Sequence, residues 1–175
     1  MRNPINIDDK AQLFQERVIE SFSFLEDEFN MKKGRLRLLN QNDPREVTAK
    51  IRYESESHRI DIGWGIGENG IGILIWNKSS HENSSLPKNK NFVFFEPFLE
   101  FLTNGEEKPI IPQVYPKMSV AKIMKAMDER EQLFKTPLAD IVTRLAKKLK
   151  VNYELVLSKD IRTFIEFHEW MVDHG

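Results

Sequence analysis

Between Glu46 and Asn77 the chain reads EVTAKIRYESESHRIDIGWGIGENGIGILIWN, alternating runs rich in Ile, Val, Tyr and Trp broken by two short polar turns. Period-2 alternation bounded by turn residues specifies strands, and three such runs in succession predict an antiparallel meander. Asn69-Gly70 suits a type I′ turn, which accepts positive φ without strain. A turn there sets Glu68 opposite Ile71, Ile66 opposite Ile73 and Trp64 opposite Ile75. Placing the first turn at Glu56-Ser57 sets Tyr53 opposite Ile60, Ile51 opposite Ile62 and Ala49 opposite Trp64.

Both turns send Val47, Ile51, Tyr53, Ile60, Ile62, Trp64, Ile66, Ile73 and Ile75 to one face, as a sheet with one buried side requires. The other face pairs Arg52 with Asp61 and Glu54 with Arg59. Further along it holds Gly63, Gly65 and Gly72 beside Leu74 and Trp76, with Trp76 set opposite Gly63. Strand glycines strip side chains from a face and let another group approach the backbone. Gly63, Gly65, Gly72 and Trp76 are therefore the candidate partner-binding residues; the bland reading has Trp76 or a C-terminal helix covering the glycines.

Before the meander, Phe14, Val18, Phe22, Leu25 and Phe29 recur at steps of three and four, predicting one helix from about Asp8 to Asn30. Lys33-Gly34 is expected to end it, with a short strand over 35–39 and a turn at Gln41-Asn42-Asp43-Pro44. Lys78 to Asn91 reads as a polar, mobile loop, and Phe92 to Phe95 as a further strand or an anchor. Phe98 to Leu102 suits one or two helical turns before Asn104-Gly105.

Pro109, Pro112 and Pro116 make residues 108–118 an extended connector. It divides a helix-plus-sheet part, 1–107, from a helical part, 119–175, within a single domain of 175 residues. Ser119 is a candidate N-cap for a helix to about Lys135, with Val120, Ile123, Met124, Met127 and Phe134 apolar. A second helix begins at Leu138 after Pro137, and a third is capped at Ser158 or Asp160. The expected fold is α+β: an N-terminal helix, an antiparallel meander sheet of four or five strands, and three helices packed at an edge or end.

Composition limits the chemistry. No cysteine is present, which removes disulfides, thiolate nucleophiles and cysteine-ligated zinc. A net charge of -1 argues against whole-molecule attraction to nucleic acid or anionic membrane. The basic cluster Arg144, Lys147, Lys148 and Lys150 falls at a helix end, where cations are favoured in any case. Absence of a leader-like or membrane-spanning apolar stretch leads us to expect a cytoplasmic protein.

Gly65-Ile66-Gly67-Glu68-Asn69-Gly70 matches G-x-G-x-x-G, but a strand follows instead of the helix a dinucleotide site needs. His58, His81, His168 and His174 form no metal-ligand spacing, and His168 continues an apolar stripe as a satisfied core histidine would. No nucleophile elbow occurs. Asp61 and Glu54 have structural partners in Arg52 and Arg59, so no catalytic residue, metal or cofactor is expected.

Phe24-Leu25-Glu26-Asp27-Glu28-Phe29, then Ile51-Arg52-Tyr53-Glu54-Ser55 and Ile60-Asp61-Ile62, then Leu157-Ser158-Lys159-Asp160-Ile161 occur in an order that resembles small uncharacterised bacterial α+β proteins. Some of those are similar to immunity proteins of polymorphic toxin systems, which bind and block a cognate toxin. The resemblance implies an immunity-like role with a partner toxin and brings no functional residue with it; the missing catalytic constellation and the patterned charge lead us to expect a non-enzymatic, cytoplasmic protein-binding protein. Monomer and homodimer stay open. The alternative is a small hydrolase or transferase with a carboxylate/His site drawn from Asp61, Glu54, His58 and His81.

Overall fold

The computed structural model describes residues 7–41, 47–65, 70–78 and 90–174. Its elements are α1 (Ile7–Ser21), α2 (Phe24–Asp27), β1 (Lys32–Lys33), β2 (Arg37–Leu39), β3 (Thr48–Glu54), β4 (His58–Gly65), β5 (Gly70–Asn77), β6 (Phe92–Phe94), α3 (Phe95–Leu102), α4 (Val120–Leu133), α5 (Leu138–Leu157) and α6 (Ile161–Asp173). The fold is α+β, as the patterning requires. One six-stranded sheet runs β1-β3-β4-β5-β6, with β2 also pairing β3, and every described pairing is antiparallel.

Alternation decides the faces. Val47, Ile51, Tyr53, Ile60, Ile62, Trp64, Ile71, Ile73 and Ile75 are all buried on the inner side. There they join Phe14, Val18, Phe22 and Leu25 from the N-terminal helices and Ile141, Val142, Leu145 and Leu149 from α5. α5 therefore belongs to the main core, packed against α1, and only α3 and α6 close the β6 end, where Phe98 meets Phe164 and Phe167 edge-on at 5.0 and 5.3 Å. The expectation that all three C-terminal helices sit at an edge is corrected. The apolar stripe of α5 runs from Ile141 through Leu145 and Leu149 to Val156, long enough over 20 residues to join the same core cluster as the inner face of the sheet.

The expected register of the first hairpin holds, with Tyr53 opposite Ile60, Ile51 opposite Ile62 and Ala49 opposite Trp64. The second does not. Trp64 pairs with Ile71, Ile62 with Ile73 and Ile60 with Ile75, and pairing stops at Gly65 and Gly70, which leaves residues 66–69 as the connection. The Asn69-Gly70 two-residue turn is thereby overturned, and Ile66 and Glu68 lie outside the described residues. Trp76 consequently faces Arg59, and Gly63 faces Gly72. The displacement is an even number of residues, so every side chain keeps its face.

The single N-terminal helix is also corrected. α1 ends at Ser21, α2 adds one turn, and the chain reverses at Asn30, whose φ of 53° places it in the left-handed region. The Met31 N–H then donates to the Leu25 carbonyl at 2.8 Å. Gly34 supplies no cap; its N–H donates to the Arg52 carbonyl at 2.7 Å as part of the sheet edge.

The C-terminal helices begin where capping residues stand. Ser119 Oγ accepts from the Lys122 N–H, and Asp160 Oδ1 accepts from the Thr163 N–H at 3.0 Å. α4 meets the core at its C-terminal end, where Leu133 and the following Phe134 pack partly buried against it. Ala126 is its one buried residue, while Val120, Met124 and Met127 are more than half exposed. No helix among the described residues is long and apolar enough to cross a membrane.

Candidate functional site

The outer face of the sheet carries the residues singled out by the sequence. Two rows cross it near β6: Arg52, Asp61, Leu74 and Phe94, then Glu54, Arg59, Trp76 and Phe92. At the other end Lys50, Gly63 and Gly72 form one row and Thr48, Gly65 and Gly70 the next. Four glycines thus form one block.

Asp61 is 1 % exposed although it points away from the core. Arg52 Nε donates to its Oδ1 at 2.8 Å, and Arg59 Nε and Lys50 Nζ stand 3.4 and 3.6 Å from Oδ2. Arg59 leans along its own strand to Asp61 although Glu54 is its cross-strand neighbour. Its guanidinium carbon also lies 3.9 Å from the centre of the Trp76 ring, a cation–π contact. Burial pulls the Arg59 pKa below its ordinary value, with Asp61 opposing that shift.

Trp76 is half-buried and stacks obliquely on Phe92 at 4.8 Å. His168 reaches in from α6, its Nε2 2.8 Å from the Phe92 carbonyl, which satisfies the histidine on the apolar stripe. Phe94 ends this aromatic ridge 48 % exposed.

The glycine block is open. A Cβ built on Gly72 meets nothing within 4 Å, and one on Gly63 meets only Thr48 Cγ2 at 3.9 Å and the Ala49 carbonyl at 4.0 Å. Near Gly70 the closest group is Arg130 Nη2 of α4, at 3.6 Å from the position of a Cβ. Among the described residues, then, no atom of Trp76 or of a C-terminal helix stands within 4 Å of a Cβ built on Gly63 or Gly72, whereas α4 approaches Gly70 through Arg130. Trp76 sits at the opposite end of the face, on Arg59.

Two residues of the enzyme alternative, Asp61 and His58, are engaged by structural neighbours. Asp61 is engaged by three cations. His58 is held by Ser57 Oγ, 2.8 Å from its Nδ1, and burial lowers its pKa. His81 lies outside the described residues. Among the described residues no group of His, Asp and Glu could hold a metal ion.

Sequence reasoning missed two buried carboxylates, Glu96 and Glu100 of α3. Glu96 accepts from the N–H groups of Ile110 at 2.5 Å and Ile111 at 3.1 Å, with Lys148 Nζ 3.8 Å away. Burial raises its pKa, and these same two bonds and the lysine act against the rise. Glu100 accepts from Tyr115 Oη at 2.6 Å and Lys108 Nζ at 3.3 Å. Burial, then the bond to Glu100, pushes the Tyr115 phenol up. All these partners lie in the proline connector or on α5, so the two carboxylates clamp the connector to α3. Their i, i+4 spacing within an apolar helix was the available signal.

Beside the clamp a groove of about 280 Å³ opens along the free edge of β5, floored by Ile71, Ile73, Phe95, Ile111 and Leu145 and flanked by Arg130. No protein-family model matches this chain, and no curated protein or solved structure is significantly similar to it.

Proposed function

We propose that this chain is a non-enzymatic, cytoplasmic protein-binding protein whose recognition surface is the outer face of the sheet. One observation carries the reading: Gly63 and Gly72 form a bare patch where a side chain would meet little or nothing, on the face that also presents Phe94 and the Arg59–Trp76 stack. Gly is poorly suited to strand interiors, so Gly63 and Gly72, which face each other inside β4 and β5, cost stability without a packing return. Access to the backbone supplies the missing reason.

In its narrower form the partner is a toxin that this chain covers and blocks, which the resemblance to immunity proteins supports. The enzyme alternative, a hydrolase or transferase with a carboxylate/His site, has no observation of comparable weight behind it. Its leading carboxylate, Asp61, is already saturated by Lys50, Arg52 and Arg59.

The test is co-purification of the tagged chain from its native host, compared with Gly72→Lys. That substitution adds a long side chain where there is room for it, so the fold should survive while the face is blocked. A stoichiometric protein partner bound by the parent and lost from Gly72→Lys is the expected result. Growth rescue on co-expression with that partner would establish the toxin form. No partner, or one that Gly72→Lys retains undiminished, would sink the reading.

A further inference from the structure

We propose that the free edge of β5 from Gly70 to Ile73 receives an extended peptide segment of a partner protein, one that alternates apolar and acidic side chains. This rests on the protein-binding reading and names the partner's chemistry. The edge exists because β6 stops early: its last pairing sets Phe94 opposite Leu74, and the chain turns into α3 at Phe95.

Two hydrogen bonds fix which backbone groups face outward. The Asn77 N–H donates to the Asn91 carbonyl on the β6 side, and the Lys78 N–H donates to the Ser57 carbonyl on the β4 side. Along a strand, successive residues direct their backbone groups to opposite edges. Odd-numbered residues of β5 therefore serve the β6 side, and Ile71 points its N–H and carbonyl at the groove, beyond the end of β6. No described residue bonds to either group there. An unpaired stretch of this kind is a template for another strand, and side-chain pockets beside it set the sequence that fits.

The two sides of the edge demand different side chains. Inward, the floor formed by Ile71, Ile73, Phe95, Ile111 and Leu145 is apolar. At about 280 Å³ the groove has room for apolar side chains of an extended segment. Outward, beside Gly70, lies the Arg130 guanidinium, which has no ion-pair or hydrogen-bond partner among the described residues and calls for a carboxylate. Glu96, the acidic group at the groove, is already held by Ile110, Ile111 and Lys148. A strand laid here directs alternate side chains inward and outward, hence the apolar–acidic alternation.

The test uses the full chain and a fluorescein-labelled octapeptide of alternating valine and glutamate. Anisotropy should show saturable binding, weakened by about tenfold or more in Arg130→Glu, the size expected for losing a charge-assisted contact. A valine–lysine peptide should not bind. N-methylating the peptide residues whose N–H groups face β5 should abolish binding, whereas N-methylating the alternate set should leave it intact. In amide exchange, the Ile71 N–H should exchange fast in the free chain and slow on addition of peptide.

Absence of binding at millimolar peptide, indifference to Arg130→Glu or to N-methyl position, or an Ile71 amide already protected in the free chain would each overturn the proposal. So would sedimentation showing that two copies pair through this edge. A natural partner that binds without protecting Ile71 would refute edge pairing alone and leave the protein-binding reading standing.

Discussion

Replacing Asp61 by Asn would test whether the charged half of the outer face is held together by one anion. Asp61 is 2 % exposed at its side chain, and the three cations around it are each 22 to 24 % exposed. At an effective dielectric near 20, a unit-charge pair about 4 Å apart is worth roughly 4 kcal/mol. Desolvating the carboxylate costs several kcal/mol, and the cations repel one another, so the net value is well below the sum of three attractions. Asparagine keeps the shape and one acceptor for Arg52, but leaves three positive groups converging on a neutral amide. Removing one member of a buried ionic group costs about 3–5 kcal/mol, and partial exposure of the cations puts Asp61→Asn near the lower end, about 3 kcal/mol. With a urea slope of about 2–3 kcal/mol/M, the unfolding midpoint should fall by about 1–1.5 M. Because the residual fault is repulsion between cations, raising ionic strength from about 0.05 to about 0.5 M should recover part of the loss, whereas the parent should respond little. A midpoint within about 0.3 M of the parent, or a loss indifferent to salt, would refute this account.

Glu96→Gln should flatten one part of the pH–stability profile. Burial raises the folded-state pKa of Glu96 above the unfolded value, so the folded chain binds this proton more tightly. Its contribution is then greatest below about 4.5 and is lost as pH rises through the raised folded value. Urea midpoints measured upward from that pH should show the parent losing stability relative to Glu96→Gln; a parallel pair of curves would contradict the assignment. Asp160→Ala removes the acceptor at the start of α6 and should cost about 1 kcal/mol in thermal or urea unfolding, with Asp160→Ser recovering most of it. Gly72→Ala should leave stability unchanged or raise it by up to about 1 kcal/mol, since the added methyl meets open space and the unfolded chain loses freedom. A clear destabilisation would mean that something packs on Gly72 after all.

What the sequence disclosed followed from periodicity, and what it hid depended on distant partners. Inner-face residues such as Ile62 and Ile73 were legible because alternation alone assigns a face, and the assignment survived the wrong turn at Asn69-Gly70. The absolute register did not, because an even displacement leaves the alternation intact. Phe22, Leu25 and Phe29 continue a helical spacing past Ser21, so the break before α2 left no mark on the pattern; nor did Asn30 advertise its positive φ as a glycine would. Glu96 and Glu100 read as polar positions on a short helix. Their burial depends on N–H groups and side chains from 8 to 15 residues onward. Gly63, Gly65 and Gly72 stood out in the sequence as a strand anomaly, but whether a helix covered them was a tertiary matter.

The two halves of the outer face obey different physical requirements, and this separates stability from recognition within one sheet. Near β6, Arg52, Arg59 and Lys50 converge on Asp61 and Trp76 covers Arg59, so charge is balanced there, although Arg59 Nε and Trp76 Nε1 have no hydrogen-bond partner among the described residues. At the far end Gly63 and Gly72 leave the outer face bare, and along the adjoining edge of β5 no described residue hydrogen-bonds the Ile71 backbone on the β6 side. Natural sheets usually blunt such an edge with charge, proline or a covering element. Here Arg130 of α4 stands on the flank, its Nη2 3.6 Å from the position of a Cβ on Gly70, while Glu96 at the same groove is held by Ile110, Ile111 and Lys148. A guanidinium that is unpartnered among the described residues and stands beside an open strand edge is what the proposed acidic peptide segment requires.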